Sequence, residues 1–291
     1  MSAKANERKK RPIVMSAMGW LLTLRALIMP KSTARLTQRM MFTPRKIPIH
    51  AVERQWLDAA VKQDLHLDTT RFVTYTWGQG ERQVLLVHGW SGGASQMTQC
   101  IQGFLDQGFR VVAVDMPAHG ASDGSMSSVV HFAKSLMEIN QAFGPFHSVL
   151  AHSLGAAAVS YALHMGMVVN RLVFVAPLAS YVTVWEGFQH MLGLPTRLIH
   201  TVRLEAERWL STRFNDIEPL ALAAHMKPPL LVVHDQQDRE CPFHLGEQLA
   251  KAWPQAQFMA TQKLGHGRIL RDPDVLRACT EFLSQNISTP D

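Results

Sequence analysis

From Phe72 onward, short runs of Val, Leu and Ile alternate with segments of helical periodicity, and this alternation narrows the fold more than any other feature of the chain. Strands are expected at FVTYTW (72–77), QVLLVH (83–88), RVVAVD (110–115), SVLAH (148–152), RLVFVA (171–176), PLLVVH (229–234) and QFMAT (257–261). Helices are expected near 94–107, 127–143, 154–165, 243–253 and 273–285. Strands that are apolar at every position, rather than at every second one, have both faces covered, which is the signature of a parallel sheet between two layers of helix. Residues 178–226 break the rhythm. They are helical in pattern and rich in large side chains, among them Tyr181, Trp185, Phe188, Met191, Leu194 and Trp209. A stretch of that length between two strands fits a small inserted cap.

The first 46 residues have a different character. ERKKR (7–11) precedes an apolar run from Ile13 to Met29 that is interrupted by Arg25, and Lys31, Arg35 and Arg39 then recur every four residues beside Leu36 and Met40. The apolar run is marginal in length for a membrane span and carries a central charge; no small-residue cleavage site follows it. Three readings fit the segment: attachment to an anionic membrane surface, a helix pair packed on the body, or a loose tail. Charge supports treating it separately. Residues 1–50 hold 11 Lys/Arg and one acidic residue, Glu7, leaving 18 basic and 22 acidic residues for 51–291 of the chain's 29 and 23. The body is net acidic, which argues against nucleic acid as its partner. Three widely spaced cysteines, Cys100, Cys241 and Cys279, form no disulfide framework and favour a reducing, cytoplasmic setting. Among 14 histidines there is no HExxH, and neither GxGxxG nor GxxxxGK[ST] occurs, so neither a metal nor a nucleotide cofactor is expected.

In a parallel sheet, ligands gather at the carboxyl ends of the strands. There the sequence places HGWSGG (88–93), DMPAHGASDG (115–124), AHSLG (151–155), DQQDRECP (235–242) and LGHGR (264–268). A serine, candidate acids and a histidine thus collect on one edge in the chain order Ser, Asp, His. AHSLG is a small-x-Ser-x-Gly turn with Ala151 at its first small position. A serine on such a tight turn needs small neighbours two residues before and two after.

With these motifs in register over about residues 70–285, the chain resembles the α/β-hydrolase superfamily, in its serine-hydrolase branch with a small cap. The resemblance implies an α/β-hydrolase fold for residues 47–291, with the cap inserted at about 178–226. It implies Ser153 as nucleophile, His266 as its base and Asp238 as the acid, the last because the family's acid lies four residues before a proline, here Pro242. Asp235, on the same strand end, is then a turn residue. The oxyanion donors would be the backbone N–H groups of Trp90 and Leu154. Trp90, Trp185, Phe188 and Met191 are expected to contribute to a substrate pocket, although each equally fits plain packing. DMPAHGASDG is a structural turn in the family, with His119 part of it, and His152 is left without a role.

The implied activity is that of a serine hydrolase cleaving a carboxylic ester, or a related acyl bond, of a small-molecule substrate. The same fold also hosts acyl transfer, thioester and amide hydrolysis, carbon–carbon cleavage and non-catalytic binding. A complete Ser, Asp and His set favours an enzyme. A serine rather than a carboxylate nucleophile sets aside the dehalogenase and epoxide-hydrolase branches.

Overall fold

A computed structural model describes residues 12–285 of the 291. Eight strands form one sheet: β1 (Val61–Leu67), β2 (Thr70–Trp77), β3 (Gln83–Val87), β4 (Arg110–Asp115), β5 (Phe146–His152), β6 (Val169–Val175), β7 (Leu230–Asp235) and β8 (Ala256–Thr261). Their order is β1-β2-β4-β3-β5-β6-β7-β8, with β1 and β2 antiparallel to their neighbours and β4 through β8 parallel. The helices are α1 (Ile13–Ile28), α2 (Pro30–Phe42), α3 (Ala51–Asp58), α4 (Ile101–Asp106), α5 (Val129–Phe143), α6 (Leu154–His164), α7 (Tyr181–Leu192), α8 (Thr196–Leu210), α9 (Pro219–Ala223), α10 (Phe243–Ala252), α11 (Gly265–Arg268) and α12 (Pro273–Ser284).

The seven strands expected from apolar runs are present. On β3, Val84 and Leu86 join a buried cluster with Phe104, Val275 and Leu283, while Leu85 and Val87, which alternate with them, are just as fully buried. Burial on both faces is why the run is apolar throughout. β1 was not expected. Its sequence VKQDLHL is exposed at most positions, and it is held by its backbone ladder to β2 across a two-residue turn in which Asp68 has φ +52°. The helix expected over 94–107 is instead a 3-10 run, Ala94–Cys100, followed by the short α4.

The chain divides into two compact units, one comprising residues through Met41 with Tyr181–Arg213, the other Phe42–Ser180 with Phe214–Asp291. The division differs from the expected plan of an N-terminal segment and a cap at 178–226. The N-terminal helices pair with the insertion, and Phe214–Met226, expected in the cap, groups with the sheet. The reason is close packing: Gly19 of α1 lies so tightly on α7 that a Cβ would come 1.6 Å from the Leu192 carbonyl oxygen. In the same unit, Arg35 of α2 pairs with Glu205 of α8 at 3.2 Å. α2 buries Thr33, Ala34, Thr37 and Gln38 and leaves Leu36, expected on its apolar face, exposed.

Candidate active site

β3 lies between β4 and β5, the point where strand order reverses and where an open parallel sheet leaves a crevice at its carboxyl edge. The tight turn between β5 and α6 presents Ser153 there with φ +53° and ψ −120°. A non-glycine residue in that region costs about 1–3 kcal/mol, a strain held by surrounding packing. Two residues on, Gly155 is required: a Cβ would meet the His88 and Val87 carbonyl oxygens at 2.6 and 2.9 Å. Ser153 stands at the N-cap of α6, yet its hydroxyl makes no capping bond. It is turned to His266, whose Nε2 lies 3.0 Å from Ser153 Oγ.

The other ring nitrogen of His266 is 2.8 Å from Asp238 Oδ2. The Asp238 carboxylate is fully buried and well supplied with donors. Its Oδ1 accepts from the backbone N–H groups of Glu240 (2.8 Å) and Cys241 (3.0 Å), and its Oδ2 is also 3.3 Å from His234 Nε2. Burial pushes the Asp238 carboxyl up, but the hydrogen bonds from His234 and His266, the His266 charge and the Glu240 N–H outweigh it and hold the carboxyl well below the usual range. Asp235 is bound elsewhere. It accepts from Gln237 N–H at 2.9 Å, the Thr261 hydroxyl at 2.9 Å and Leu264 N–H at 3.0 Å, and so pins the loop that carries His266 to the ends of β7 and β8.

Several residues around this relay were given no role in it from the sequence. His152 donates from Nε2 to the His266 carbonyl at 3.0 Å, and the two rings lie 4.7 Å apart. Burial, followed by the neighbouring His266 charge, lowers its pKa to about 3, so it is a neutral prop for the His266 loop. His234 Nε2 faces two acceptors, Asp238 Oδ2 and the Cys241 carbonyl at 3.1 Å, and must carry the proton; its ring packs so closely on Gly246 that a Cβ there would come 2.1 Å from Nδ1. Cys241 Sγ is 4.0 Å from Ser153 Oγ, and burial and the Asp238 charge push the thiol up to about 12, which leaves it an apolar neighbour. Glu240, exposed, reaches within 3.9 Å of His266 Nε2.

The segment after β3 is held open by side chains. Gly89 N–H bonds Gln96 Oε1 at 3.3 Å, Ser91 N–H donates to His119 Nε2 at 3.1 Å, and His119 Nδ1 in turn donates to the Pro117 carbonyl at 3.0 Å. The His119 ring also stands edge-on to Trp90 at 5.1 Å. Burial drives His119 down to about 3 and His88 down to about 4, so both are neutral structural bridges. Asp115 receives Ala94 N–H, Ala121 N–H and the Tyr75 hydroxyl, which explains the DMPAHGASDG turn: a Cβ on Gly120, at φ +50°, would strike that carboxylate at 2.1 Å. Among the described residues, the backbone N–H groups of Trp90 and of Leu154, the first residue of α6, have no hydrogen-bond partner. Gly89 brings the loop against Ser153, where a Cβ would lie 2.9 Å from the Ser153 Cβ. The expected pocket residues Trp185, Phe188 and Met191 are on α7 in the helical unit, where Trp185 is buried, Phe188 half-buried and Met191 exposed. Among the described residues no group of His, Cys, Asp and Glu is arranged to hold a metal ion.

The sheet, its switch point and the strained serine turn define an α/β hydrolase. Residues 84–278 match the sequence profile of the Alpha/beta hydrolase family, and the chain belongs to that family. It is 27% identical over 239 residues to a pimeloyl-[acyl-carrier protein] methyl ester esterase of Serratia marcescens, an alignment covering 68% of this chain and 92% of the relative. To a 2-hydroxy-6-oxononadienedioate/2-hydroxy-6-oxononatrienedioate hydrolase of Paraburkholderia phymatum it is 25% identical over 238 residues, covering 65% and 82%. Among solved structures, an esterase from Exiguobacterium antarcticum superposes with a TM-score of 0.59 at 16% identity, over 75% of this chain and 97% of that one, a likeness of fold. The protein is a hydrolase of the alpha/beta type.

Proposed function

We propose that the protein hydrolyses carboxylic esters through a covalent acyl-enzyme. The observation that carries this is the continuous relay from Ser153 Oγ to His266 Nε2 at 3.0 Å and from His266 Nδ1 to Asp238 Oδ2 at 2.8 Å. A serine hydroxyl is a weak nucleophile until a base removes its proton. His266 Nε2 takes that proton as Oγ bonds to the acyl carbon. Asp238, ionised and fixed by its own donors, keeps the Nδ1–H tautomer in place and stabilises the imidazolium that forms. The C–O bond then breaks, the leaving alcohol receives the proton from Nε2, and the acyl group remains on Ser153. A water molecule repeats the sequence, giving its proton to His266 and its oxygen to the acid product. The negative charge on the former carbonyl oxygen would fall to the N–H groups of Trp90 and Leu154, the latter at a helix N-terminus; losing one such donor costs about 3 kcal/mol in related chemistry. The methyl ester esterase among the relatives supports an ester as the bond cleaved.

The test is labelling with a fluorophosphonate and turnover of p-nitrophenyl esters of graded chain length, with the matching thioester and amide alongside. The wild type should be labelled once, at Ser153, and hydrolyse esters. Ser153→Ala should lose both, with turnover falling about 10⁶-fold and the thermal midpoint little changed. Ester turnover that survives Ser153→Ala, or labelling of another serine, overturns the assignment.

A further inference from the structure

We propose that α1 lies in the surface of an anionic lipid bilayer and attaches the enzyme there. The helix has two apolar sides, with Arg25 between them. One side, with Met15, Gly19, Leu22 and Ala26, is turned inward, and Gly19 and Leu22 are buried. The opposite side carries Ile13, Trp20, Leu21, Leu24, Leu27 and Ile28 at spacings of three and four residues, so that they form one stripe. All are exposed, Ile13 at 87%, Trp20 at 64%, Leu27 at 78% and Ile28 at 84%. A helix with two apolar sides, only one of them buried, has a second environment to meet.

Charge decides which environment. Lys4, Arg8, Lys9, Lys10 and Arg11 precede α1 in the sequence, outside the described residues, and Lys31 and Arg35 follow it, exposed, on α2. Among the described residues, the unit containing α1 holds 8 Lys/Arg against 3 Asp/Glu, a net +5, whereas the sheet unit holds 16 against 18, a net −2. A second copy of the chain placed on the stripe would bring two such cationic sets together and be repelled. An anionic headgroup layer neutralises them while its acyl boundary takes the stripe, with Trp20 suited to that boundary. No helix among the described residues is long and apolar enough to cross a membrane, so α1 lies along the surface rather than through it. Its 16 residues extend about 24 Å, short of a hydrocarbon core of about 30 Å.

The experiment is co-sedimentation of the full chain with vesicles of phosphatidylglycerol and phosphatidylcholine, or of phosphatidylcholine alone, at low and high salt. Binding should require the anionic lipid and weaken with salt. The triple variant Leu21→Ser, Leu24→Ser, Leu27→Ser should lower partitioning about a hundredfold. Lys9→Gln, Lys10→Gln, Arg11→Gln should lower it about tenfold or more. Both variants alter exposed or terminal positions and should keep wild-type turnover of a water-soluble ester, which verifies their fold. The proposal is overturned by any of three outcomes: no binding to anionic vesicles, binding indifferent to lipid charge, or a solution dimer that the leucine variant splits into monomers.

Discussion

The two units of this chain handle apolar side chains in opposite ways. The sheet unit turns them inward: Leu85, Leu86, Phe104, Val112, Phe132 and Phe174 are wholly buried. Its buried polar groups, His88, Asp115, His152 and Asp235, are tied to backbone donors and acceptors. The helical unit leaves a row of leucines, isoleucines and a tryptophan on the outside of α1, beside the exposed Lys31 and Arg35 of α2. A unit that holds polar groups in a dry interior can fix their protonation and direction, which catalysis needs. A unit that exposes apolar groups beside cations is shaped for contact with something else.

The strongest way to probe the first half of this comparison is the acid of the relay. Asp238→Asn should lower kcat by about 10⁴-fold, because the amide would hold the wrong imidazole tautomer. Asp235→Asn should act chiefly on stability and on the seating of the His266 loop, with a smaller loss of kcat, since its partners are Gln237, Thr261 and Leu264. Steady-state kinetics on both variants decide it; a reversed order would move the acid to Asp235.

The buried histidines give the next effect. Burial holds His88 at about 4 and His119 and His152 at about 3, against 6.5 in the unfolded chain. Below pH 6.5 the unfolded chain therefore binds protons that the folded one refuses, and stability falls as pH falls from about 6.5 toward 4. The slope is up to about 1.4 kcal/mol per pH unit for each imidazole. Asp238, whose carboxyl is held low, adds its own loss only below about pH 4. Thermal midpoints between pH 7 and 4.5 should decline steadily, and a flat profile would contradict the buried neutral state.

A matched pair of leucines gives the smallest effect and the sharpest contrast between the units. Leu86→Ala in β3 should cost about 2–5 kcal/mol, the price of removing a fully enclosed side chain. Leu24→Ala on the outer side of α1 should stay within about 0.5 kcal/mol. Denaturant unfolding measures both, and a large cost at Leu24 would mean that its side is covered in solution.

The sequence by itself determined the layered sheet, because an apolar run buried on both faces is a local signal that survives without knowledge of its neighbours. It also pointed to Ser153, Asp238 and His266 through short motifs at strand ends, and the fold sets the three side chains within hydrogen-bond reach of one another. Tertiary structure alone decided the rest. β1 carries no apolar run and exists through pairing with β2, so composition could not mark it. His152 and Cys241 meet the relay because β5 and β7 end on the same edge across β6, a juxtaposition of residues 80 and more positions apart. The partnership of α1 with α7 depends on Gly19 meeting Leu192, a close approach between segments distant in sequence. Local periodicity specifies which side of an element is apolar; only packing selects which of two apolar sides is covered, and on α1 that choice leaves the stripe from Ile13 to Ile28 outside.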